Sequence, residues 1–259
     1  MIPQSFITAW RKHAPWQEDY QVEQDLIIHR SIIALFSDEF IRERLAFRGG
    51  TALHKLFLTP AVRYSEDIDL VQVKAEPFGP IIDKIRDILS FLGAPRITQK
   101  QHSNTLIYRF TSEDNVPVKL KVEVNTREHF SVFGLKNMPL KLESAWMNDE
   151  AEVPVFSLDE LLATKLRALY QRKKGRDLFD IWYALNNAEV NPENLIKAFR
   201  HYLQEEGNLI TQKLFIENME KKIRDKNFIG DINGLLRPGI VYDVGETYKQ
   251  VRKEILEKL

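Results

Sequence analysis

The stretch of residues 47–70, FRGGTALHKLFLTPAVRYSEDIDL, constrains what this chain can fold into more than any other part of it. It opens with Gly49 and Gly50, a pair that permits a tight turn and lets the backbone come close to a ligand. Apolar residues at helical spacing follow, which predicts a helix that offers its N-terminus to the same ligand. The stretch ends with Asp67 and Asp69, and the strand composition around them places both carboxylates on one face.

The two aspartates indicate a cation site. Carboxylates on one face repel each other, and the repulsion is costly in a cleft of low dielectric constant. A divalent cation relieves it, and carboxylate and phosphate oxygens are the ligands that magnesium prefers. Either half of the stretch also fits a simpler interpretation, a tight turn or a pair of solvent-facing aspartates on an edge strand. A phosphate-binding turn and a metal-binding pair joined by one helix are typical of a nucleotidyl-transfer site.

The composition limits the classes of protein and of site that fit. Lys plus Arg and Asp plus Glu both number 37, so any contact with nucleic acid has to come from a local basic patch. The chain has no cysteine, which excludes disulfides, thiolate nucleophiles and zinc–thiolate sites. The first residues lack the pattern of a signal peptide, and no apolar run is long enough to span a bilayer. We expect a cytoplasmic protein without membrane contact.

Hydrophobic periodicity predicts helices and strands in the N-terminal half. The predicted helices cover residues 20–36, 39–44, 52–58 and 75–92, and the predicted strands cover residues 67–73, 105–110 and 116–125. Lys55 is expected to be exposed, and His29 to be a surface or packing residue. Residues 127–156 are predicted to be irregular, except for a short apolar segment at 153–156.

Glu123 is the next candidate site residue, because its strand is expected to lie beside that of the two aspartates. A third carboxylate there could complete a metal site or accept a proton from an attacking hydroxyl. The same residue equally fits an exposed strand position paired with Lys119, Lys121 or Arg127. The sequence leaves both interpretations open.

Beyond residue 156 the chain is predicted to be helical almost to its end. The domain boundary is therefore expected there, with residues 1–156 as one domain and residues 157–259 as a helical second one. Ser157 and Glu160 have the spacing of a capping box at the start of the first helix. The basic run Lys221, Lys222, Arg224 and Lys226 is expected to be a solvated face or, less commonly, a nucleic-acid contact.

A second polar cluster is predicted in this helical half. Asp177 and Asp180 are three residues apart, so they lie on one helical face near its positive end. Lys165, Arg172 and Arg176 bring cations into the same region. The same pattern also fits an ordinary salt-bridged helix surface.

The order and spacing of these motifs resemble the AbiEii-type nucleotidyltransferase toxins, the toxin halves of bacterial type IV toxin–antitoxin and abortive-infection systems. The matching motifs are Gly-Gly-Thr-Ala-Leu-x-Lys at 49–55, Arg-Tyr-Ser-Glu-Asp-Ile-Asp-Leu at 63–70, Lys-Leu-x-Ala-Leu at 165–169 and Arg-Asp-Leu-x-Asp at 176–180. The resemblance implies an α+β fold with a polymerase-β-like nucleotidyltransferase core. In that core a small mixed sheet is flanked by helices, and a helical C-terminal lobe follows and completes the active-site cleft.

The resemblance also implies roles for residues in the first domain. Gly49, Gly50 and Thr51 would hold the triphosphate of a nucleoside triphosphate (NTP). Asp67 and Asp69 would bind Mg²⁺.

In the second domain the implied roles concern phosphate charge and proton transfer. Lys165 would contact the nucleotide phosphates and, with Arg176, neutralise the departing pyrophosphate. Asp177 and Asp180 match the family's helical motif, with Asp177 acting in the chemistry and Asp180 in nucleotide binding. Glu123 or Asp177 would help to deprotonate the acceptor.

The implied function is Mg²⁺-dependent transfer of a nucleoside monophosphate from an NTP to an acceptor hydroxyl, with release of pyrophosphate. Some family members act on tRNA 3′ ends, and a basic wall of Arg167, Arg172, Lys173 and Lys174 would suit such an acceptor. A DNA-binding antitoxin is expected to be encoded next to the chain.

Other functions share these motifs. A small-molecule or protein nucleotidyltransferase differs only in its acceptor. A catalytically silent fold that binds nucleotide or RNA and acts through a partner also remains open. A haloacid-dehalogenase-type phosphatase fits less well, since it needs no glycine turn before its Asp-x-Asp loop.

Overall fold

A computed structural model describes residues 2–259, which divide into two units with the boundary between Phe156 and Ser157. The first unit is built on a mixed sheet and the second is helical. Among the described residues no helix is both long and apolar enough to cross a membrane.

The described part of the first unit, residues 2–156, contains five α-helices and seven strands. The helices are α1 (Gln4–Trp10), α2 (Asp19–Ser37), α3 (Glu39–Arg42), α4 (Gly49–Ala52) and α5 (Gly79–Ile88). The strands are β1 (Leu45–Arg48), β2 (Asp67–Gln72), β3 (Arg96–Lys100), β4 (Ser103–Thr111), β5 (Pro117–Asn125), β6 (Leu135–Glu143) and β7 (Asn148–Phe156). A π-helical turn, Leu53–Phe57, directly continues α4.

The strands form one sheet in the order β3-β4-β5-β2-β1-β7-β6. The β2–β5 and β1–β7 pairs are parallel, whereas the other neighbours are antiparallel. The central position of β2 gives it a partner on each side. The strand that carries the two aspartates is therefore held more firmly than an edge strand would be.

Helix α2 is the main element packed on the sheet, where it contacts β7, β6 and β5. Its apolar residues recur closely enough that side chains are buried on most of its circumference, including Leu26, Ile28 and Ile32. The amphipathic helix predicted here is confirmed in extent. It is more deeply buried than its pattern suggested, and it also buries polar residues.

The prediction that residues 127–156 are irregular is wrong, since β6 and β7 form an antiparallel hairpin in this region. Pro139 and Pro154 had favoured irregular structure, because proline cannot donate to a strand ladder. Pro139 lies on edge strand β6, and β1 pairs with β7 only at Val155, one residue beyond Pro154. Both prolines thus occupy places that a sheet tolerates.

The second unit contains six further α-helices: α6 (Leu158–Gln171), α7 (Gly175–Asn187), α8 (Pro192–Glu205), α9 (Gln212–Lys222), α10 (Lys226–Gly230) and α11 (Val244–Glu254). The capping box predicted at the start of α6 is half formed. The Ser157 hydroxyl accepts a hydrogen bond from the Glu160 N–H at 3.3 Å. The Glu160 carboxylate instead accepts one from the Tyr202 hydroxyl at 2.9 Å, which ties α6 to α8.

Candidate active site

The sheet register brings the acidic residues of the first unit together on one face. Asp67 lies opposite Lys121, and Asp69 lies between Arg48 on β1 and Glu123 on β5. Residues directly opposite each other on neighbouring strands present their side chains to the same face. The interpretation that places Glu123 beside the Asp-x-Asp strand therefore agrees with the register.

The glycine turn is fitted closely around these carboxylates. Gly49 has φ +81°, which favours glycine, and a Cβ atom there would collide with the Asp69 carboxylate. At Gly50 a Cβ atom would lie 2.6 Å from Nη2 of Arg63 and 3.2 Å from the Ser65 hydroxyl. Gly49 is therefore required for the start of α4 to lie against β2, whereas a side chain at Gly50 would displace the end of Arg63.

Thr51 joins the turn to the acidic strand. Its hydroxyl donates to the Asp67 carbonyl at 2.5 Å and lies 2.8 Å from the Ser65 hydroxyl. The residue is only 1 % exposed. These bonds show that Thr51 orients the start of β2, whereas its expected contact with a triphosphate stays a prediction.

Positive charge already compensates the carboxylates on this face. Lys121 forms an ion pair with Glu123. Burial acts to lower the pKa of Lys121, but the charges of Glu123, Asp67 and Asp69 raise it above its usual value. A cation placed here is thus stabilised by all three carboxylates.

Asp67 and Asp69 fit a magnesium ion as two of its ligands, but they do not form a complete ligand set. Asp67 and Asp69 offer carboxylate oxygens from one face of one strand, which is the ligand chemistry that Mg²⁺ prefers. Among residues 2–259 no group of three or more His, Cys, Asp or Glu side chains is arranged to hold a metal by itself. The arrangement therefore suits an ion that takes two protein ligands and completes its shell with phosphate oxygens and water.

Buried polar residues of α2 support the start of the acidic strand. The Gln24 amide donates to the Lys119 carbonyl at 2.9 Å, and its oxygen accepts from the Tyr64 hydroxyl at 2.6 Å. Gln24 thereby connects α2 with β5 and with the segment just before β2. Sequence reasoning missed this residue, because a glutamine inside an apolar helix carries no motif.

Lys55 was predicted to be exposed, and that prediction is wrong. Its side chain is 9 % exposed, and Nζ lies 3.0 Å from the carboxylate of Asp25 on α2. The cause is the π-helical turn that contains Lys55, since a wider turn rotates side chains away from the positions of a 3.6-residue period. The nearby His29 is confirmed as a packing residue, because it is buried and bonds to the Lys141 carbonyl at 2.9 Å.

The second unit holds a buried cluster of opposite charges. Lys165 on α6 lies 3.3 Å from Asp177 and 3.1 Å from Asp180, both on α7. Arg172 donates two hydrogen bonds to Asp177, from Nε at 2.8 Å and from Nη2 at 2.9 Å. Both aspartates are completely buried, so the interpretation as an ordinary helix surface is wrong.

The charges in this cluster keep Asp177 ionised. Burial acts to raise the pKa of Asp177, but Lys165 and Arg172 outweigh it and hold the pKa below its usual value. A carboxylate bound by two cations in this way is a poor proton acceptor at neutral pH. The position of Asp177 between Lys165 and Arg172 instead suits it to hold these two side chains in place.

The expected basic wall is largely neutralised by carboxylates of the same unit. Arg167 is paired with Glu206, Arg172 with Asp177, Lys173 with Asp225 and Lys174 with Asp231. Arg176 lies near Asp231, with Nε 3.8 Å from its carboxylate. These side chains do not form a surface of uncompensated positive charge.

A family sequence profile relates the chain to known proteins. The sequence profile of a family described as nucleotidyl transferase AbiEii toxin, type IV TA system, matches residues 32–249. No curated protein sequence matches the chain.

Solved structures share the fold. MenT4, a nucleotidyltransferase toxin from Mycobacterium tuberculosis, superposes with a TM-score of 0.67 at 17% identity, covering 100% of this chain and 91% of that one. JHP933 from Helicobacter pylori superposes with a TM-score of 0.54 at 16% identity, covering 92% of this chain and 90% of that one.

Proposed function

Since this chain belongs to the AbiEii family of type IV nucleotidyltransferase toxins, we propose that it moves a nucleoside monophosphate from an NTP to a hydroxyl group. The observation that carries the proposal is the row of Asp69 and Glu123 on adjacent strands, with Gly49 in contact with Asp69. Together these residues would place a cation beside a turn whose backbone can approach a phosphate.

In the proposed reaction, the oxygen of an acceptor hydroxyl attacks the α-phosphorus of the NTP. A new oxygen–phosphorus bond forms, and the bond from the α-phosphorus to the bridging oxygen of the β-phosphate breaks. Pyrophosphate leaves with that oxygen and its electron pair. Asp67 and Asp69 would hold a Mg²⁺ ion, which would stabilise negative charge on the phosphate oxygens.

Glu123 is the proposed acceptor of the hydroxyl proton. It is partly exposed and on the same face as the two aspartates, whereas Asp177 is buried and bound by Lys165 and Arg172. We propose that Asp177 and Asp180 hold Lys165, which then contacts the phosphates. With Arg176, Lys165 would stabilise the negative charge on the departing pyrophosphate.

The glycine turn is proposed to bind the triphosphate. Because Gly49 and Gly50 have no side chains, the Asp69 carboxylate and the Arg63 guanidinium pack directly against the turn, which brings a metal ligand and a cation next to its backbone. Thr51 contributes by fixing the start of β2 through the Asp67 carbonyl.

The acceptor is proposed to be a hydroxyl of an RNA 3′ end, with tRNA as the first candidate. The ion pairs of Lys173 and Lys174 mean that an RNA phosphate would have to displace Asp225 or Asp231. We further propose that the protein is located in the cytoplasm and that a gene next to its own encodes a DNA-binding antitoxin.

The first prediction tests the carboxylate pair. Purified protein, MgCl₂ and each of the four α-³²P-labelled NTPs would be incubated in turn with total bacterial tRNA. Replacing Asp67→Asn or Asp69→Asn should lower transfer by about 1000-fold, because each change removes a ligand charge from the metal. EDTA should have the same effect on the wild type.

Asp83→Asn is the matched control, since Asp83 is an exposed aspartate on α5 whose ion pair is with Arg86. It should transfer label at the wild-type rate. Label on the protein itself would move the acceptor to a side chain. Equal transfer by wild type and Asp67→Asn would show that the carboxylate account is wrong.

A further inference from the structure

The turn between α6 and α7 is held by residues far along the chain. This turn consists of Arg172, Lys173 and Lys174, and α7 begins directly after it with Gly175, Arg176 and Asp177. Its contacts come from residues 222–231, which include the end of α9 and all of α10. We call Lys222, Asp225, Phe228 and Asp231 the C-terminal clamp.

Lys222 binds the end of α6. It is 4 % exposed, and its ammonium group donates to the carbonyls of Leu169 and Tyr170, at 2.7 Å for Tyr170. The last carbonyls of a helix have no partner within the helix, and a cation is stabilised at this negative end. Lys222 therefore fixes the point at which the chain leaves α6, just before Arg172.

The electrostatics of Lys222 connect it with the charged cluster. Burial lowers the pKa of Lys222 to about 8, and the negative charge of Asp177 opposes that shift. The ammonium group thus lies within the field of the same carboxylate that Lys165 and Arg172 bind. Lys222 belongs to the basic run that was predicted to be a solvated face, and for this residue the prediction is wrong.

Asp231 binds the other end of the turn. Its carboxylate lies 3.0 Å from Nζ of Lys174, and it accepts a hydrogen bond from the backbone N–H of Arg176 at 3.3 Å. Because the first N–H groups of a helix lack partners within it, an aspartate at this place stabilises the start of α7. Asp225 holds Lys173 at 2.9 Å in a more exposed pair.

Gly175 shows how closely the clamp fits the turn. A Cβ atom at Gly175 would collide with the backbone carbonyl of Phe228. Only a glycine lets the turn pass this close to α10. The contact adds a steric restraint to the ionic ones.

We propose that Lys222 and Asp231 are positioning residues, which hold Arg172 and Asp177 in the geometry that nucleotidyl transfer requires. The proposal rests on the function proposed above and assigns a role in it to the C-terminal part of the chain. Neither residue needs to contact the nucleotide. Each acts on an end of the turn that connects Lys165 on α6 with Arg176 on α7, the two groups proposed to contact the phosphates.

The test combines transfer kinetics with hydrogen exchange. Lys222→Met keeps the length of the side chain without its donors, and Asp231→Asn keeps the shape without the charge. In both variants kcat should fall by about 10- to 100-fold, since small displacements of reacting groups cost this much. KM for the NTP should change by less than about twofold, because the lost contacts stabilise the transition state rather than the bound substrate.

Exchange of the amides of residues 171–177 should accelerate by about tenfold in both variants, whereas α8 should keep its protection. Lys221→Met, the exposed neighbour of Lys222, is the control and should match the wild type in every measurement. A loss of kcat that only follows the unfolded fraction, read from circular dichroism, would reduce the clamp to a structural role and overturn the proposal.

The two proposals can fail separately. Wild-type protein that transfers no label to any acceptor contradicts the proposed function, and the exchange measurement still decides whether the clamp restrains the turn. Active wild type with unchanged kinetics and exchange in Lys222→Met and Asp231→Asn contradicts the clamp alone.

Discussion

The backbone of Gly49 packs closely against the Asp69 carboxylate, because the residue has no side chain. The residue also has φ +81°, so an alanine there would be strained and would collide with Asp69. Gly134 has nearly the same conformation, with φ +77°, but among the described residues no atom lies within 4 Å of the place that a methyl group would take. Alanine substitutions at these two glycines therefore distinguish the effect of backbone strain from the effect of displacing the Asp69 carboxylate.

We expect Gly49→Ala and Gly134→Ala each to lose about 1 kcal/mol of unfolding free energy from backbone strain. Only Gly49→Ala should also lose transfer activity, because only its methyl group pushes Asp69 out of place. Urea unfolding and the labelling assay measure the two effects. Normal activity of Gly49→Ala would mean that the carboxylate tolerates movement.

Local pattern was enough to place Gly49 in a turn and Asp67 and Asp69 on one face of a strand, because turn geometry and strand alternation depend only on neighbours. The functions assigned to these residues stay predictions. Gln24 and Lys222 were not identified from local pattern, since their roles depend on partners 95 and 53 residues away in the chain.

At the scale of elements, the π-helical turn after α4 is joined to α2 by a buried ion pair. The Asp25 carboxylate accepts hydrogen bonds from Lys55 and from the Trp10 indole, both at 3.0 Å. Burial acts to raise the pKa of Asp25, but Lys55 and the Trp10 hydrogen bond hold it below its usual value. The three elements α1, α2 and the π-helical turn thus meet at one carboxylate.

We expect Lys55→Met to destabilise the first unit by about 3 kcal/mol, because it leaves Asp25 buried without its cation. Adding Asp25→Asn to Lys55→Met should restore part of that loss, since the uncompensated charge is then gone. Lys84→Met removes a more exposed pair with Asp38 and should cost much less than Lys55→Met. Urea unfolding of the four proteins measures the differences, and equal losses in Lys55→Met and Lys84→Met would contradict the argument.

Two wrong predictions, the exposure of Lys55 and the irregularity of residues 127–156, share one physical cause. Lys55 was misplaced because a regular helical period was assumed, and the π-helical turn departs from it. Strands β6 and β7 were missed because their prolines argue against strands unless the neighbouring strands are known. Register, edge position and helix type are set by tertiary contacts that a local pattern does not contain.

At the scale of the whole molecule, stability depends on pH through a buried histidine whose pKa is lower in the folded chain than in the unfolded one. Burial, followed by the positive charge of Lys55, lowers the pKa of His29 from 6.5 to about 3. Between these two pH values the unfolded chain binds a proton at His29 that the folded chain does not. The free energy of unfolding must therefore fall as the pH falls from 6.5 towards 3.

One such proton corresponds to a slope of about 1.4 kcal/mol per pH unit. We expect His29→Gln to reduce the slope by this amount, because glutamine does not titrate and its amide can donate to the Lys141 carbonyl. Urea unfolding at several pH values between about 4 and 7 measures it. A slope in His29→Gln equal to that of the wild type would contradict this account.

The seven strands of the sheet lie between Leu45 and Phe156, and α6 begins after them. A ribosome therefore finishes every strand of that sheet before it adds Lys165, and it adds Lys222 and Asp231 later still. During translation the acidic strand therefore exists for a time without Lys165. On the role proposed for Lys165 in nucleotidyl transfer, a nascent chain that stalls between Phe156 and Lys165 should have no transfer activity, although its sheet is already complete.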